Sequence, residues 1–389
     1  MAIDTERFVG QLAAAGVRYA CGVPDSLLRG LGACLQHGHP DIVHRVACNE
    51  GAAVAAAIGH HLVSGGVPLV YLQNSGLGTA LNPLASLAAP EVCAVPLLLV
   101  IGWRGELGAD GEALGDEPQH RVEGALTPAL LDLLSIRHEI VGAETGDAGP
   151  TLQRLLAHAA QARQPVALLC RRAAFTAPAA PRRPPRDASA PSMLREQAIE
   201  ACVGALPRDT LIVATTGMAS RELYALREAR GETHARNFLV VGAMGYASHV
   251  ALGITDAQPG RTVLCLDGDG AALMHLGAFA ACARASRLLH VVLNNDSHES
   301  VGEQPTAAPG VRLASIAAAA GYARVATVRS AAALASTVAE FVASPRAAFI
   351  EVLCRVGHRA ELGRPGMPPR LNREQFSAAL RAERVGTPR

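Results

Sequence analysis

An aspartate between two glycines follows an apolar segment of the sequence and could hold a metal ion. The segment VLCLDGDGA is predicted to form a buried strand that ends close to Asp269. The next predicted strand, LHVVLNND, ends with Asn294 and Asn295, 26 residues after Asp269. Because ligands in open α/β sheets collect at the carboxyl ends of strands, we expect these side chains to lie at one edge. Carboxylate and amide oxygens suit Mg²⁺, which often bridges a carboxylate to phosphate groups.

The residues around Asp269 favour a diphosphate as the partner of this metal. Gly268 and Gly270 allow the backbone to approach a ligand closely, and a helix predicted to begin near Ala271 would present amide groups to an anion. Alone, a GDG triplet is most often a turn, and an Asn-Asn pair is most often a cap or turn. Together, at the ends of successive strands, they indicate a site for a diphosphate cofactor with Mg²⁺.

A second candidate, Glu50, lies in the first half of the chain. The segment VACNEGAAVAAAIG places this residue at the end of a strand and the start of a helix of small residues. A glutamate in a first helical turn could simply complement the helix dipole. Alternatively, the apolar neighbours would raise its proton affinity, as acid–base chemistry requires.

The elements that must position these residues follow a strand–helix alternation in each half. The fold class is therefore α/β, with two domains that each contain a mostly parallel sheet and helices on both faces. The proline-rich segment RRAAFTAPAAPRRPPRDASAPS disfavours regular structure and is interpreted as a linker. The predicted boundaries are 1–172, 173–192 for the linker, and 193–389. The predicted strands are VRYACGV, IVHRVACNE, VPLVYLQN, VPLLLVIGW and PVALLC in the first half, and TLIVATTG, NFLVVGA, TVLCLDG, LHVVLNN, ARVATV and AFIEVLC in the second.

Composition narrows the class of partner. The chain of 389 residues carries 35 basic and 34 acidic side chains, so it has no charge excess for nucleic acid or an anionic membrane. Its nine cysteines are scattered without a CxxC pair, which indicates reduced core thiols. No apolar run is long enough to cross a bilayer. We expect a cytoplasmic protein with a small-molecule partner.

The GDG and NN segments resemble the metal and diphosphate motif of thiamine diphosphate enzymes. The resemblance implies that Asp269, the side chain of Asn295 and the carbonyl of Ser297 bind Mg²⁺. It also implies that Glu50 hydrogen-bonds the aminopyrimidine ring of the cofactor and promotes its reactive tautomer. A nicotinamide cofactor is disfavoured, since no GxGxxG opens the first helix of either half.

Two further segments resemble cofactor-binding loops of that superfamily. VVGAMGYAS is similar to the segment in which the Gly242 carbonyl accepts from the pyrimidine amine and Met244 supports the bent cofactor. VATTGMASREL is similar to a loop on the diphosphate side, although it could equally be a simple strand-to-helix turn. The cofactor-binding candidates are Glu50, Thr215, Thr216, Gly217, Gly242, Met244, Gly268, Asp269, Gly270, Ala271 and Asn295.

Segments along nearly the whole chain resemble the phosphonopyruvate decarboxylase family. They include GVPDSLL, NEGAAVAAA, LLLVIGWRGE, DEPQH, NNDSHESVGEQPT and ELGRP. The resemblance implies decarboxylation of 3-phosphonopyruvate to phosphonoacetaldehyde in phosphonate or antibiotic biosynthesis. It also implies a homo-oligomer with active sites between a pyrimidine-binding and a diphosphate-binding domain of neighbouring subunits. Two alternatives remain: decarboxylation of another anionic 2-oxoacid such as sulfopyruvate, and a noncatalytic thiamine diphosphate-binding protein.

The remaining candidates concern catalysis and the substrate. Asp25 lies near the reacting carbon in this interpretation, and His298 is either a proton donor, a phosphonate contact or a solvated loop histidine. Cations and clustered donors suit a phosphonate dianion. The substrate candidates are Ser26, Asn74, Ser75, Arg104 and His120, with Arg359 and Arg364 as possible additions. For Arg104 and His120 the alternative is a surface salt bridge or helix cap.

The sequence also departs from the family pattern. Ala243 and Tyr246 stand where Ser and His are usual, and Glu303 stands where Gly is expected. The segment ELGADGEALGDEPQH is longer by a few residues. An extra carboxylate at Glu303 would repel a dianionic substrate unless it points away or is paired. These departures bear on the substrate and leave the predicted cofactor unchanged.

Overall fold

The computed structural model describes residues 1–108, 111–112, 114–176 and 191–385, and of residues 383–385 only the backbone. The described residues fall into two compact units. The first contains those between Met1 and Pro184 together with Ser300–Gln304, and the second contains those between Pro185 and Glu299 and from Pro305 onward. Most of the predicted linker, at 177–190, lies outside the described residues. The predicted domain boundaries therefore stay a prediction.

The first unit contains one six-stranded sheet in which all neighbouring strands run parallel, in the order β2-β1-β3-β4-β6-β5. Its strands are β1 Tyr19–Gly22, β2 Val43–Val46, β3 Leu69–Gln73, β4 Leu98–Gly102, β5 Arg137–Val141 and β6 Val166–Cys170. Its helices are α1 Thr5–Ala14, α2 Arg29–His37, α3 Glu50–Ser64, α4 Leu77–Pro83, α5 Pro118–Leu133 and α6 Gly149–Ala162, with a 3-10 turn at Asn74–Gly76.

Helices cover both faces of this sheet because the central strands are apolar on both sides. Tyr71 of β3 packs into a cluster with side chains of α1, α2 and α6, such as Leu12 and Leu155. Val70, its neighbour on the same strand, packs on the opposite face with side chains of α3, α4 and α5, such as Val54. Alternate residues of one strand thus supply two cores, as expected for a buried parallel strand.

The second unit has a parallel sheet with the order β13-β14-β10-β9-β7-β8. Its strands are β7 Leu211–Ala214, β8 Asn237–Leu239, β9 Val263–Gly268, β10 Leu288–Asn294, β13 Arg324–Val328 and β14 Ala348–Leu353. Its helices are α7 Arg195–Gly204, α8 Met218–Ala229, α9 Ala247–Ala257, α10 Asp269–Met274, α11 Ala278–Cys282, α12 Leu313–Ala320, α13 Ala331–Phe341 and α14 Pro369–Val385. Two short strands, β11 Ser297–His298 and β12 Gln304–Pro305, follow β10. Read from β8 to β13, the order of connections repeats that of the first sheet.

The predicted fold class is confirmed, and eleven of the twelve strands in the two six-stranded sheets lie, to within one residue, inside segments that the sequence indicated. The missing one is β5, with the sequence RHEIV. It lies at the edge of its sheet and buries only its last residue, so it lacks the apolar run that marks the central strands. Among the helices described, none is both long and apolar enough to cross a membrane. All nine cysteines are free thiols.

Candidate functional site

The structure brings the predicted metal ligands of the second unit to one edge of its sheet. Asp269 opens α10 directly after β9, and Asn295 directly follows β10. The two strands are parallel neighbours, with Gly268 paired to Leu293 at their carboxyl ends. Hence the two residues that the predicted strand ends placed at one edge of the sheet do lie at adjacent strand ends.

Asp269 is a buried carboxyl whose environment suits a cation. Its side chain is 2% exposed, and the Thr306 hydroxyl donates a 2.6 Å hydrogen bond to Oδ2. Burial raises the pKa of Asp269 to about 6, and nearby Asp296 adds to the rise. A divalent ion at this edge would compensate the buried charge, so the donor set fits Mg²⁺.

The side-chain amide of Asn295 has a defined orientation. Its Nδ2 donates a 2.8 Å hydrogen bond to Oε2 of Glu299, and its Oδ1 accepts from the Ser297 backbone at 3.1 Å. The amide oxygen therefore faces away from the Glu299 carboxylate. The Ser297 hydroxyl is buried without a partner in the part of the chain that the structure describes.

His298 packs directly against the Gly270 backbone. A Cβ placed on Gly270 would lie 2.7 Å from Cε1 of His298 and 3.1 Å from the Thr306 methyl group, so this close approach requires glycine. Burial lowers the pKa of His298 to about 4. The imidazole is half-buried and neutral near pH 7, which argues against the solvated loop histidine of the alternative interpretation.

The loop after β7 contains the predicted diphosphate contacts. Gly217 precedes α8 with a φ of 95°, a left-handed conformation that favours glycine. The Thr215 hydroxyl is buried and lacks a hydrogen-bond partner among the described residues, while Thr216 is half-buried beside it. This loop follows the strand adjacent to β9, so it lies at the same sheet edge as Asp269.

The segment predicted to hold the pyrimidine follows β8 and turns sharply. Gly242, Ala243 and Gly245 all have positive φ, of 59°, 40° and 92°. Tyr246, one of the departures from the family pattern, places its ring 4.3 Å from that of His275. Met244 is half-buried. The cofactor candidates of the second unit thus follow four adjacent strands, β8, β7, β9 and β10.

Glu50, the candidate of the first unit, is buried at the start of α3. Its neighbour Asn49 caps the helix by accepting from the Ala52 backbone at 2.8 Å. The Glu50 side chain is 5% exposed, and its Oε2 has no hydrogen-bond partner within the described ranges. Burial raises the pKa of Glu50. A buried carboxyl with one oxygen free of hydrogen bonds is typical of a group that binds a ligand. A glutamate that only complements a helix dipole would be exposed to solvent.

Gly76 makes room for the Glu50 carboxyl, which yields a first prediction. A Cβ at Gly76 would lie 2.5 Å from both Cδ and Oε1 of Glu50. We expect Gly76→Ala to lower the free energy of unfolding by about 1–3 kcal/mol, since overpacking displaces the carboxyl. Thermal unfolding measures the effect. The matched control is Gly78→Ala in α4, where a Cβ meets nothing within 4 Å and a small gain of about 0.5–1 kcal/mol is expected. Equal effects at both positions would contradict the steric account.

Asp25 is a second buried carboxyl of the first unit. Its Oδ2 accepts from the backbones of Leu27 and Leu28, at 3.0 and 3.1 Å. Its Oδ1 is buried and lacks a partner among the residues described. Burial is the main reason that its pKa is raised. A Cβ placed on Gly102, at the end of β4, would clash with Oδ2 of Asp25, so only glycine fits at this position.

Arg104 is clamped by Asp116, a residue that the sequence did not single out. Its Nε and Nη2 donate to the two carboxylate oxygens at 2.8 and 2.6 Å, and its Nη1 donates to the Ser26 hydroxyl at 3.3 Å. The side chains are 12% and 5% exposed, so this is not the surface salt bridge of the alternative interpretation. Burial pushes the pKa of Asp116 up, but the hydrogen bonds from Arg104 and the Glu117 backbone, together with the Arg104 charge, outweigh burial and hold this pKa below the ordinary value. The sequence could have identified Asp116, since it is the first residue of the DEPQH segment that resembles the family.

Asn74 holds the backbone of Arg104. Its Nδ2 donates to the Arg104 carbonyl and to the Thr127 hydroxyl, both at 3.0 Å, and its Oδ1 accepts from the Arg104 amide at 3.1 Å. The Ser75 hydroxyl accepts from Gln73 at 2.6 Å. These contacts give Asn74 a positioning role, and direct contact with substrate stays a prediction.

The other charged candidates differ in their surroundings. His120 places Nδ1 3.9 Å from Glu123, too far for a hydrogen bond. Arg359 is paired with Glu196 at 2.8 Å. Glu303 is half-buried and adopts a φ of 60°, where the family pattern has glycine.

Two buried polar networks in the second unit were not predicted. In one, His290 contacts Asp267 at 3.3 Å and the Tyr322 hydroxyl at 2.9 Å. Cys265 lies close enough to complete a possible metal-binding group, but the hydrogen bonds account for the cluster without an ion. In the other, Arg195 joins two carboxylates, Glu222 and Glu299.

Comparison with known proteins shows that both units match domains of thiamine pyrophosphate enzymes. Residues 5–124 match the family described as "Thiamine pyrophosphate enzyme, N-terminal TPP binding domain", and residues 215–352 match its C-terminal counterpart. The chain is 34% identical to a phosphonopyruvate decarboxylase of Streptomyces viridochromogenes, covering 99% of this chain and 97% of that protein. It is 33% identical to one of Streptomyces hygroscopicus, covering 94% and 91%. It is 27% identical to a sulfopyruvate decarboxylase of Methanosarcina acetivorans, covering 91% and 92%.

Proposed function

Because the chain belongs to the phosphonopyruvate decarboxylase family of thiamine diphosphate enzymes, we propose that it converts 3-phosphonopyruvate to phosphonoacetaldehyde and CO₂. The reaction serves phosphonate biosynthesis in this proposal. The observation that carries it is the meeting of Asp269 and Asn295 at adjacent strand ends. It occurs in a chain whose similarity to such decarboxylases extends over nearly its full length.

The residues of the second unit fit thiamine diphosphate and Mg²⁺. Asp269, the Asn295 amide oxygen and the Ser297 carbonyl would hold the metal, and the hydroxyl of Thr215 is a buried donor with no described partner. The residues that would contact the diphosphate or the pyrimidine are Thr215, Thr216, Gly217, Gly242, Met244, Gly268, Gly270 and Ala271. When bound, thiamine diphosphate supplies a sink for the electrons left by departing CO₂.

The chain's own acid–base groups are suited to hold and move protons. The Glu50 carboxyl, buried and unpaired at Oε2 in the described structure, keeps a proton more readily than an ordinary glutamate. Asp25 offers a similar buried oxygen at Oδ1. The neutral imidazole of His298 can accept a proton or a hydrogen bond. We assign Glu50 the central catalytic role, and Asp25 and His298 supporting roles near the substrate.

Arg104 is proposed as the phosphonate contact, with Ser26 and His120 beside it in the predicted substrate set. We expect Arg104→Gln to raise KM for phosphonopyruvate about 10–100-fold, the effect of losing a charge-assisted hydrogen bond. KM for pyruvate, which has no phosphonate group, should change little. Steady-state kinetics on both acids measure this difference.

The control for Arg104 is Arg172→Gln. Arg172 lies 3.9 Å from the same Asp116 carboxylate, but its side chain is 66% exposed. The Arg172→Gln substitution should therefore leave KM for phosphonopyruvate and KM for pyruvate unchanged. An equal rise of KM for phosphonopyruvate and pyruvate in Arg104→Gln would assign Arg104 a structural role and contradict the proposed phosphonate contact.

We further propose that the protein is a cytoplasmic homo-oligomer that builds its active site between subunits. The catalytic candidate Glu50 lies in the first unit and the metal candidates lie in the second. In support, α5 exposes Val122, Leu126 and Leu133, large apolar side chains that a second subunit could cover. The proposal includes no partner of another class, neither nucleic acid nor membrane.

Sulfopyruvate is the second candidate substrate, because a relative named sulfopyruvate decarboxylase covers 91% of the chain. The test supplies thiamine diphosphate and Mg²⁺ and offers phosphonopyruvate, sulfopyruvate and pyruvate separately. We expect phosphonopyruvate to be consumed fastest, with phosphonoacetaldehyde identified by phosphorus NMR. Faster turnover of sulfopyruvate would favour the second candidate. Inactivity on all three, with the cofactor bound, would favour a noncatalytic binding protein.

A further inference from the structure

A buried ion network lies directly behind the Asn295 amide. Arg195, at the start of α7, donates from Nε and Nη2 to the two carboxylate oxygens of Glu222 at 2.7 and 2.8 Å. Its Nη1 donates to Oε2 of Glu299. All three side chains are buried. Two glutamate side chains thus share one guanidinium.

Glu299 connects this network to Asn295. A side-chain amide can rotate by half a turn and exchange its oxygen and nitrogen at little cost. A carboxylate only accepts hydrogen bonds, so the 2.8 Å contact with Oε2 of Glu299 requires that Nδ2 of Asn295 point towards it. The amide oxygen is thereby directed to the opposite side, where it also accepts from Ser297.

Glu299 is itself fixed from several directions. Its Oε1 accepts from the Gly357 backbone at 2.7 Å and from Nδ1 of His358 at 3.3 Å. Its Oε2 accepts from Arg195, which Glu222 holds in place. The partners come from α7, from the residue after β10 and from the segment after β14, so the Glu299 carboxylate cannot rotate without breaking several hydrogen bonds.

We propose that Glu299 is a positioning residue for the metal site: it presents the Asn295 amide oxygen to Mg²⁺, and Arg195 and Glu222 hold it in place. This inference rests on the proposed function, in which Asn295 is a metal ligand. Groups that orient a metal ligand typically change metal affinity about 10–100-fold when they are removed. The role assigned to Glu299 is indirect, since it acts through the Asn295 side chain that is hydrogen-bonded to its Oε2.

The test compares the Mg²⁺ requirement of thiamine diphosphate binding in the wild-type protein, Glu299→Gln and Glu299→Asp. Glutamine keeps the shape but can donate as well as accept, so it no longer fixes the amide. Aspartate keeps the charge that Arg195 needs but is one methylene shorter, so it withdraws from Asn295. Calorimetric titration should show a rise of about 10–100-fold in the Mg²⁺ concentration for half-maximal cofactor binding. Saturating Mg²⁺ should restore binding.

The control is Glu340→Gln, which removes an exposed ion pair with Arg324 in the same unit and should leave the Mg²⁺ requirement unchanged. If folded Glu299 variants bind cofactor at the wild-type Mg²⁺ concentration, the inference is wrong and the proposed function stands. If the wild-type protein binds no cofactor at any Mg²⁺ concentration, both fail. Should Glu299→Gln not fold, the charge-retaining Glu299→Asp decides the question.

Discussion

The Glu50→Gln variant is expected to lose decarboxylation by about 10²–10⁴-fold, the usual contribution of a positioned acid–base group. Its thiamine diphosphate and Mg²⁺ binding should remain close to wild type, because the metal candidates lie in the other unit. Glutamine fills the same space beside Gly76 but cannot take up or release a proton. Released CO₂ measures the first effect, and calorimetric titration measures the second.

The same variant should stabilise the cofactor-free protein near neutral pH. Burial raises the pKa of Glu50 in the folded state above its unfolded value. Its favourable contribution is therefore complete below the ordinary glutamate pKa and is lost as pH rises through the raised folded pKa. Glutamine does not ionise, so the Tm of Glu50→Gln should exceed that of wild type at pH 8 by more than at pH 4. We expect the free energy of unfolding to rise by about 1–3 kcal/mol, the usual effect of removing a buried polar group without a hydrogen-bond partner.

Glu6→Gln provides the control for Glu50. Glu6 lies in the first turn of α1, as Glu50 does in α3, but it is exposed to solvent. Decarboxylase activity should not change in this variant. Full decarboxylase activity in Glu50→Gln would show that the catalytic carboxyl has been assigned to the wrong residue.

The Asp269→Asn variant is expected to weaken Mg²⁺-dependent cofactor binding at least about 100-fold and to lose activity with it, since a neutral amide replaces the carboxylate that is proposed to bind Mg²⁺. The loss should not reflect unfolding. In the wild-type protein the Thr306 hydroxyl donates to Oδ2 of Asp269 at 2.6 Å, and an asparagine oxygen could accept the same hydrogen bond. Removal of a buried charge should leave the cofactor-free protein at least as stable as wild type. Calorimetric titration and thermal unfolding, performed together, separate the two effects.

Asp256→Asn is the matched control, because Asp256 is an exposed aspartate of α9 in the same unit. It should bind cofactor like the wild-type protein. If Asp269→Asn retains full Mg²⁺-dependent binding, the metal does not lie at the end of β9. The ligand set would then have to be sought elsewhere in the chain.

The features that the sequence could predict are those that depend on a few neighbouring residues in the chain. Apolar runs marked the central strands, and side chains at the ends of β9 and β10 were placed together because parallel neighbours end at one edge. The strand β5 carried no such signal, since an edge strand needs no continuous apolar run.

The buried ion pairs were beyond the reach of local patterns. Arg195 and Glu299 are 104 residues apart, and Arg104 and Asp116 are 12 apart across a loop. Each charged residue alone resembles a solvated one, because only the folded chain shows that its partner is buried with it. The same reason explains why the hydrogen bonds from Asn74 to the Arg104 backbone were not predicted, while its contact with substrate stays a prediction.

The departures from the family pattern have different structural consequences. Tyr246 packs on His275, and Ala243 takes a left-handed conformation. Glu303 keeps a positive φ where glycine would be unstrained. None of these positions is one of the proposed metal ligands or the proposed catalytic glutamate. The effect of these departures on substrate choice stays a prediction.

The most direct test of the central claim is a crystal structure of the protein grown with thiamine diphosphate and Mn²⁺, which prefers the same oxygen ligands as Mg²⁺. We expect one anomalous peak within coordination distance of the Asp269 carboxylate, the Asn295 amide oxygen and the Ser297 carbonyl, with the diphosphate beside it. A peak at the buried Cys265, Asp267 and His290 cluster instead, or no peak at the ends of β9 and β10, would contradict the central claim.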